Sequence, residues 1–92
     1  MPIAYEQSTV FYSVSSDKQL TELKKFYSRV EEQLESIVDR ISQIPEVGLE
    51  LPNGYFVVQM PNPGYAGMCT LDVVYRFEPD GENLEIHAIR GI

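Results

Sequence analysis

Apolar residues recur along this chain with two different periods. From Leu20 onward, Leu20, Leu23, Phe26, Tyr27, Val30, Leu34, Ile37, Val38, Ile41 and Ile44 follow one another mostly at spacings of three and four, the stripe of a helix that buries one side. Between Met68 and Glu78 the period drops to two, with Cys69, Leu71, Val73, Tyr75 and Phe77 alternating against Met68, Thr70, Asp72, Val74, Arg76 and Glu78. Leu84, Ile86 and Ala88 alternate in the same way with Glu85, His87 and Ile89. Both runs predict strands with one buried face, and the shorter runs Thr9 to Val14 and Tyr55 to Met60, rich in β-branched and aromatic types, predict two more. Ser15-Ser16-Asp17, Pro61-Asn62-Pro63-Gly64 and Pro79-Asp80-Gly81 supply the breaks between them.

The helical stripe is too long for one straight element. Asp17 to Ile44 as a single helix would span about 42 Å, whereas a compact chain of this length is about 32 Å across. Ser16 with Gln19 forms a capping box at the start, and Pro45 followed by Gly48 closes the end. Ser28 with Glu31 is a second capping box, and Glu31 and Glu32 would suit a new first turn. The pattern therefore predicts two antiparallel helices that divide near Ser28, although the stripe keeps its phase across the break, as a continuous helix or a dimeric coiled coil would.

The element order becomes β-α-α-β-β-β. It predicts an α+β fold, a helical hairpin packed on one face of a small antiparallel sheet, with residues 1–92 as a single domain. No internal repeat and no Gly/Ser/Pro linker divides the chain. Leu71, Val73, Tyr75, Phe77, Leu84 and Ile86 are expected to face the helices. Thr70, Asp72, Val74, Arg76, Glu85, His87 and Ile89 are expected on the opposite face.

Charge narrows the function classes. The 92 residues carry a net charge of −7 and a pI near 4.5, a field that repels phosphate backbones and makes direct nucleic-acid binding unfavourable. The imbalance is local: residues 1–30 hold four basic against three acidic side chains, and residues 31–92 hold three against eleven. Glu31, Glu32, Glu35 and Asp39 on the second helix, with Glu78, Asp80, Glu82 and Glu85 around the last hairpin, make the acidic regions. They suit either a solvated surface or a docking surface for a basic partner. One cysteine, Cys69, forms no internal disulfide, so the expected compartment is the cytoplasm. No apolar run reaches the length of a membrane span, and Met1 to Tyr5 lacks the basic and apolar stretches of a secretory signal.

Catalytic chemistry finds few residues. Asp72, Arg76 and His87 fall on one predicted sheet face, within reach for acid–base work, yet Arg76 paired with Asp72 or Glu85 on a solvated face accounts for them equally. The lone histidine has no metal-ligand spacing around it, and Gly64-Tyr65-Ala66-Gly67 lacks the lysine of a phosphate loop. Neither a cofactor nor a metal is expected. The residues that remain suit protein binding: Asp72, Arg76, His87 and Arg90 on the sheet, Glu31 and Glu35 on the helix.

Particular residues also carry a likeness. Leu20, Leu23 and Val30, the helix tail Ile41-Ser42-Gln43-Ile44-Pro45-Glu46-Val47-Gly48, Leu51, Val73-Val74-Tyr75-Arg76 and Leu84-Glu85-Ile86-His87-Ala88-Ile89-Arg90 together resemble the RelE/ParE toxin superfamily of bacterial toxin–antitoxin systems. The resemblance runs over residues 9 to 90 and implies a helical hairpin on an antiparallel sheet. It also implies an antitoxin as protein partner, whereas the acidic regions suit a basic target protein and the unbroken stripe leaves both a monomer and a homodimer open. The ribonuclease branch places an arginine three residues before the tyrosine of its third strand, where this chain has Asp72. That branch also has lysines before this strand, whereas none follows Lys25 here, and an arginine and a tyrosine after the last strand, where this sequence reads Arg90-Gly91-Ile92. The resemblance thus implies a ParE-like toxin or a relative without RNA cleavage. The alternative is an acidic inhibitor or immunity-type protein that masks a basic surface of its partner.

Overall fold

The computed structural model describes residues 9–79 and 83–92. In chain order the elements are β1 (Thr9–Tyr12), α1 (Val14–Lys24), α2 (Val30–Gln43), β2 (Leu49–Glu50), β3 (Phe56–Met60), β4 (Leu71–Phe77) and β5 (Asn83–Gly91). The strands form one sheet in the order β1-β5-β4-β3-β2, antiparallel except where β1 runs parallel to β5. Both helices lie on one face, so the α+β architecture read from the sequence holds, with two refinements. One is the parallel β1–β5 pair. The other is β2, a two-residue edge strand that closes a hairpin with β3 around Gly54, whose φ of 83° suits glycine. Of the predicted turn Pro79-Asp80-Gly81, the last two residues lie outside the described segments, as do Met1 to Tyr5 and Glu82.

The helical stripe divides where expected, for different reasons. The α1 helix begins at Val14, earlier than predicted, because Ser13 is its cap: the Ser13 hydroxyl oxygen accepts the Ser16 N–H at 3.0 Å. Strand β1 accordingly stops at Tyr12. Ser16 is buried instead of capping, its hydroxyl donating to the carbonyls of Ser13 and Ile86, each at 3.0 Å. Gln19, the supposed partner in the capping box, accepts the Ile89 N–H at 2.7 Å. At the second start Arg29, not Ser28, is the cap residue, and no side chain caps the helix. Arg29 instead donates its backbone N–H to Gly67 at 2.8 Å and grips Glu32 with two guanidinium bonds, of 3.1 and 3.0 Å. A single rod of about 42 Å would exceed the longest molecular dimension, 38 Å.

The core lies between α2 and the inner sheet face. Val30, Leu34, Ile37 and Ile41 of α2 bury against Leu71, Val73 and Tyr75 of β4 and Leu84, Ile86 and Ile89 of β5, the favourable term that offsets chain ordering. Cys69 is buried there, as its register predicted, while Phe77 is only partly buried. Ile89 corrects the expected pattern. In β5 Tyr75 pairs with Ile86 but Val74 pairs with Ala88, leaving His87 as an extra residue in a β-bulge. Beyond the bulge the alternation reverses: Ile89 turns into the core and Ala88 out of it.

Candidate functional site

The sheet face away from the helices carries three cross-strand rows, set by the register. One row is polar: Gln59 pairs with Asp72, and Asp72 with Arg90. The Gln59 amide donates to one Asp72 carboxylate oxygen at 2.8 Å, and Arg90 sits 3.1 Å from the other. Asp72 is thereby covered to 14% exposure while Arg90 stays 74% exposed. The next row is apolar across four strands: Leu49 on β2, Val57 on β3, Val74 on β4 and Ala88 on β5. Leu49 is 72% exposed, and the other three are half-buried by their neighbours.

The last row mixes charge and aromatic rings. Arg76 pairs with Glu85, and Glu85 with Phe11 of β1. The Arg76 guanidinium donates to Glu85 at 2.7 Å, lies 3.6 Å from Glu78, and stands 5.4 Å from the centre of the Tyr55 ring. The Glu85 hydrogen bond, then Tyr55, hold its proton even more firmly than usual for arginine. The bulge lifts His87 onto the same ring, with centroids 4.6 Å apart. A histidine inserted by a bulge is thus placed over β4 by a tyrosine two strands away.

The structure therefore brings Asp72, Arg76, His87 and Arg90 onto one face but not into one site. Asp72 and Arg90 pair with each other at one side of the apolar row, and Arg76 and His87 gather on Tyr55 at the other. The expected position of Ile89 on this face is wrong for the reason given above. Glu31 and Glu35 belong to a different surface, exposed on α2 on the helix side of the sheet. Glu31 forms an ion pair with Lys24 at 3.4 Å. Near them burial first, then the charges of Glu35 and Glu31, push the Tyr12 hydroxyl above its ordinary pKa.

Two of the chemically reactive side chains are engaged or buried. The guanidinium of Arg76 is engaged by carboxylates, and the thiol of Cys69 is buried and pushed upward in pKa by that burial. Among the described residues no group of three His, Cys, Asp or Glu side chains could hold a metal ion, and no helix is long and apolar enough to cross a membrane. Sequence reasoning missed Tyr55, Leu49 and Val57 as parts of this face. The turn residues Pro52-Asn53-Gly54 between Leu49 and Tyr55 were the available signal for the hairpin that carries them.

Comparison with known proteins agrees with the fold. No family model matches the sequence, and no curated protein is similar to it. Among solved structures, an arginine double mutant of the E. coli toxin RelE in the free state superposes with a TM-score of 0.64 at 14% identity, over 91% of this chain and 82% of that one. The intact E. coli RelBE toxin–antitoxin complex gives 0.62 at 13% identity, over 92% and 96%. The RelBE2 toxin–antitoxin complex of Mycobacterium tuberculosis gives 0.63 at 18%, over 92% and 98%. The chain thus has the RelE-like toxin fold, two helices on a mostly antiparallel sheet.

Proposed function

We propose that this chain acts by binding another protein through its outer sheet face, as a ParE-like toxin or as a relative of such toxins that does not cleave RNA. The observation that carries this reading is the uninterrupted apolar row Leu49, Val57, Val74 and Ala88 on a solvent-facing sheet, flanked by charges already paired within the chain. Such a strip offers area to a protein and little to a phosphate backbone. The cations beside it do not form a clamp for a cleaved phosphate: Arg76 is tied to Glu85 and Arg90 to Asp72. Two of the similar structures are toxin–antitoxin complexes, which favours a protein of the antitoxin kind among the partners.

The test is induced expression in a bacterial host, following growth, transcript integrity and DNA supercoiling. A ParE-like toxin arrests growth and inhibits a DNA topoisomerase with transcripts intact, and Val74→Asp relieves the arrest without unfolding the chain. Cleaved transcripts would refute the reading. A second reading, an acidic inhibitor of a basic protein, draws on the exposed carboxylates Glu31, Glu35 and Asp39 along α2. It requires affinity that falls steeply between low and physiological salt.

A further inference from the structure

Strand β5 outruns its neighbour. Tyr12, the last residue of β1, pairs with Ile86, whereas β5 continues to Gly91. Among the described residues only side chains bond its outer edge over that remainder: the Ser13 hydroxyl donates to the His87 carbonyl at 2.8 Å, and the Gln19 side-chain oxygen accepts the Ile89 N–H at 2.7 Å. On the other edge Ile92 exchanges both backbone bonds with Thr70, at 2.9 and 3.2 Å. Because such exchange alternates along an antiparallel ladder, the Ile89 carbonyl and both backbone groups of Gly91 point away from β4. No bond from a described residue closes on them. They line a groove of about 410 Å³ between Lys18, Gln19, Glu22 and Leu23 of α1 and Ile89 to Gly91 of β5.

The groove has a sign. Glu22 is neutralised by Lys25 at 3.1 Å, and Lys18 has no ion-pair partner among the described residues. Arg90 at the far wall is paired with Asp72 at 3.1 Å, so Lys18 leaves the groove one unpaired positive charge on a chain whose net charge is −7. Outward-pointing carbonyl and N–H groups at strand spacing are complementary to one kind of ligand, an extended polypeptide backbone. From Ala88 to Gly91 the open edge is about 13 Å long, room for a strand of four residues, the length of β1.

We propose that the open edge of β5 beyond β1 receives an extended segment of a partner protein, which joins the sheet end to end with β1 and carries an acidic side chain toward Lys18. Gln19 is then a placeholder that occupies the Ile89 N–H until the incoming strand replaces it. This surface is separate from the apolar row of the outer face and stands or falls independently of it. A Cβ on Gly91 would lie 2.5 Å from Leu23 and 3.1 Å from the buried Cys69 sulfur. For that reason substitution at Gly91 would perturb the core and is no test.

The test pans a phage library of random twelve-residue peptides against the full chain and titrates the enriched peptides into ¹⁵N-labelled protein. The expected peptides alternate β-formers, contain Asp or Glu, shift the amides of Ile89 and Gly91, and slow the hydrogen exchange of Gly91. Lys18→Glu, an exposed change whose fold is checked by circular dichroism, weakens them about tenfold, and Gln19→Ala strengthens them about fivefold by releasing one edge donor. Failure to enrich peptides overturns the proposal. So do peptides that shift only Val57, Val74 and Ala88, a result that would leave the outer-face reading intact, and so does binding indifferent to Lys18→Glu.

Discussion

The phenolic oxygen of Tyr75 accepts the N–H of Gly48 at 3.0 Å and donates to the Pro45 carbonyl at 2.9 Å. One buried side chain from the middle of β4 thereby satisfies the backbone just past the end of α2, where helix termini leave polar groups without partners. A Cβ on Gly48 would lie 2.8 Å from both that oxygen and the Val57 carbonyl, so only glycine lets the chain pass this close. Tyr75→Phe keeps the packing, including the ring of Phe56 stacked at 5.5 Å, and leaves both backbone groups unpaired. The expected loss is about 1–3 kcal/mol in urea denaturation at neutral pH; an unchanged midpoint would show that the bonds carry no stability.

The same residue sets a pH dependence. Burial, only partly offset by the Gly48 hydrogen bond, raises the Tyr75 pKa above its ordinary value of 10.0. The unfolded chain then loses this proton at lower pH than the folded chain, so the stability involved is complete below pH 10 and is lost as pH rises through the folded pKa. Tyr12 has the same sign, raised from 10.0, and Cys69 is raised from 9.0. Denaturation midpoints should therefore fall from about pH 9 upward, and more shallowly in Tyr75→Phe than in the native chain. Equal slopes would remove Tyr75 from the account.

Gln33 is the buried polar counterpart on α2. Its amide donates to the Cys69 carbonyl at 2.7 Å and accepts the Cys69 N–H at 3.0 Å, pinning the helix to the segment that enters β4. Gln33→Leu fills similar volume but strands two buried backbone groups. It should cost more than Gln33→Glu with the acid protonated at low pH, since that form can still donate and accept. Thermal melts of both variants at pH 4 and pH 7 decide it; a Leu variant as stable as the native chain would contradict the clamp.

The bulge at His87 predicts a contrast between neighbours. Ile89→Ala removes a core side chain and should cost about 2–5 kcal/mol, whereas Ala88→Ser lies on the outer face and should cost well under 1 kcal/mol. Comparable losses at both positions would mean that β5 alternates without interruption.

That contrast also marks how far the sequence was legible. Period-two alternation located β4 and most of its inner face, because polar residues, Thr70, Asp72 and Arg76, fall between the buried ones at every outer position but Val74. The limit on molecular dimensions split the helices correctly, since it follows from chain length alone. Ile89 was placed on the wrong face because Leu84, Ile86 and Ala88 continue an apparently regular pattern; the apolar spacing of two, then three, through Leu84, Ile86 and Ile89 was the available sign of a bulge. The first helix start was misread because serine at positions 13, 15 and 16 offers several caps, and tertiary bonds to Ile86 and Ile89 decide among them; the second starts at Arg29 instead of Ser28, where the Arg29 N–H bonds Gly67. Asp72, Arg76 and His87 were rightly placed on one face, and Arg90, in phase with Leu84 and Ile86, joins them only because the bulge reverses the alternation; their division into two separate clusters depends on Tyr55 and Gln59, whose strand pairing no local pattern encodes.

The most direct measurement of the central claim, that the outer sheet face contacts protein, is photocrosslinking inside bacterial cells. The chain would carry p-benzoylphenylalanine at position 74, in the apolar row, with the same group at position 43 on the exposed end of α2 as reference. The account predicts a discrete protein adduct from position 74, weakened when Leu49 is also changed to Asp, and none from position 43. Adducts to RNA from position 74, or the same products from both positions, would contradict it.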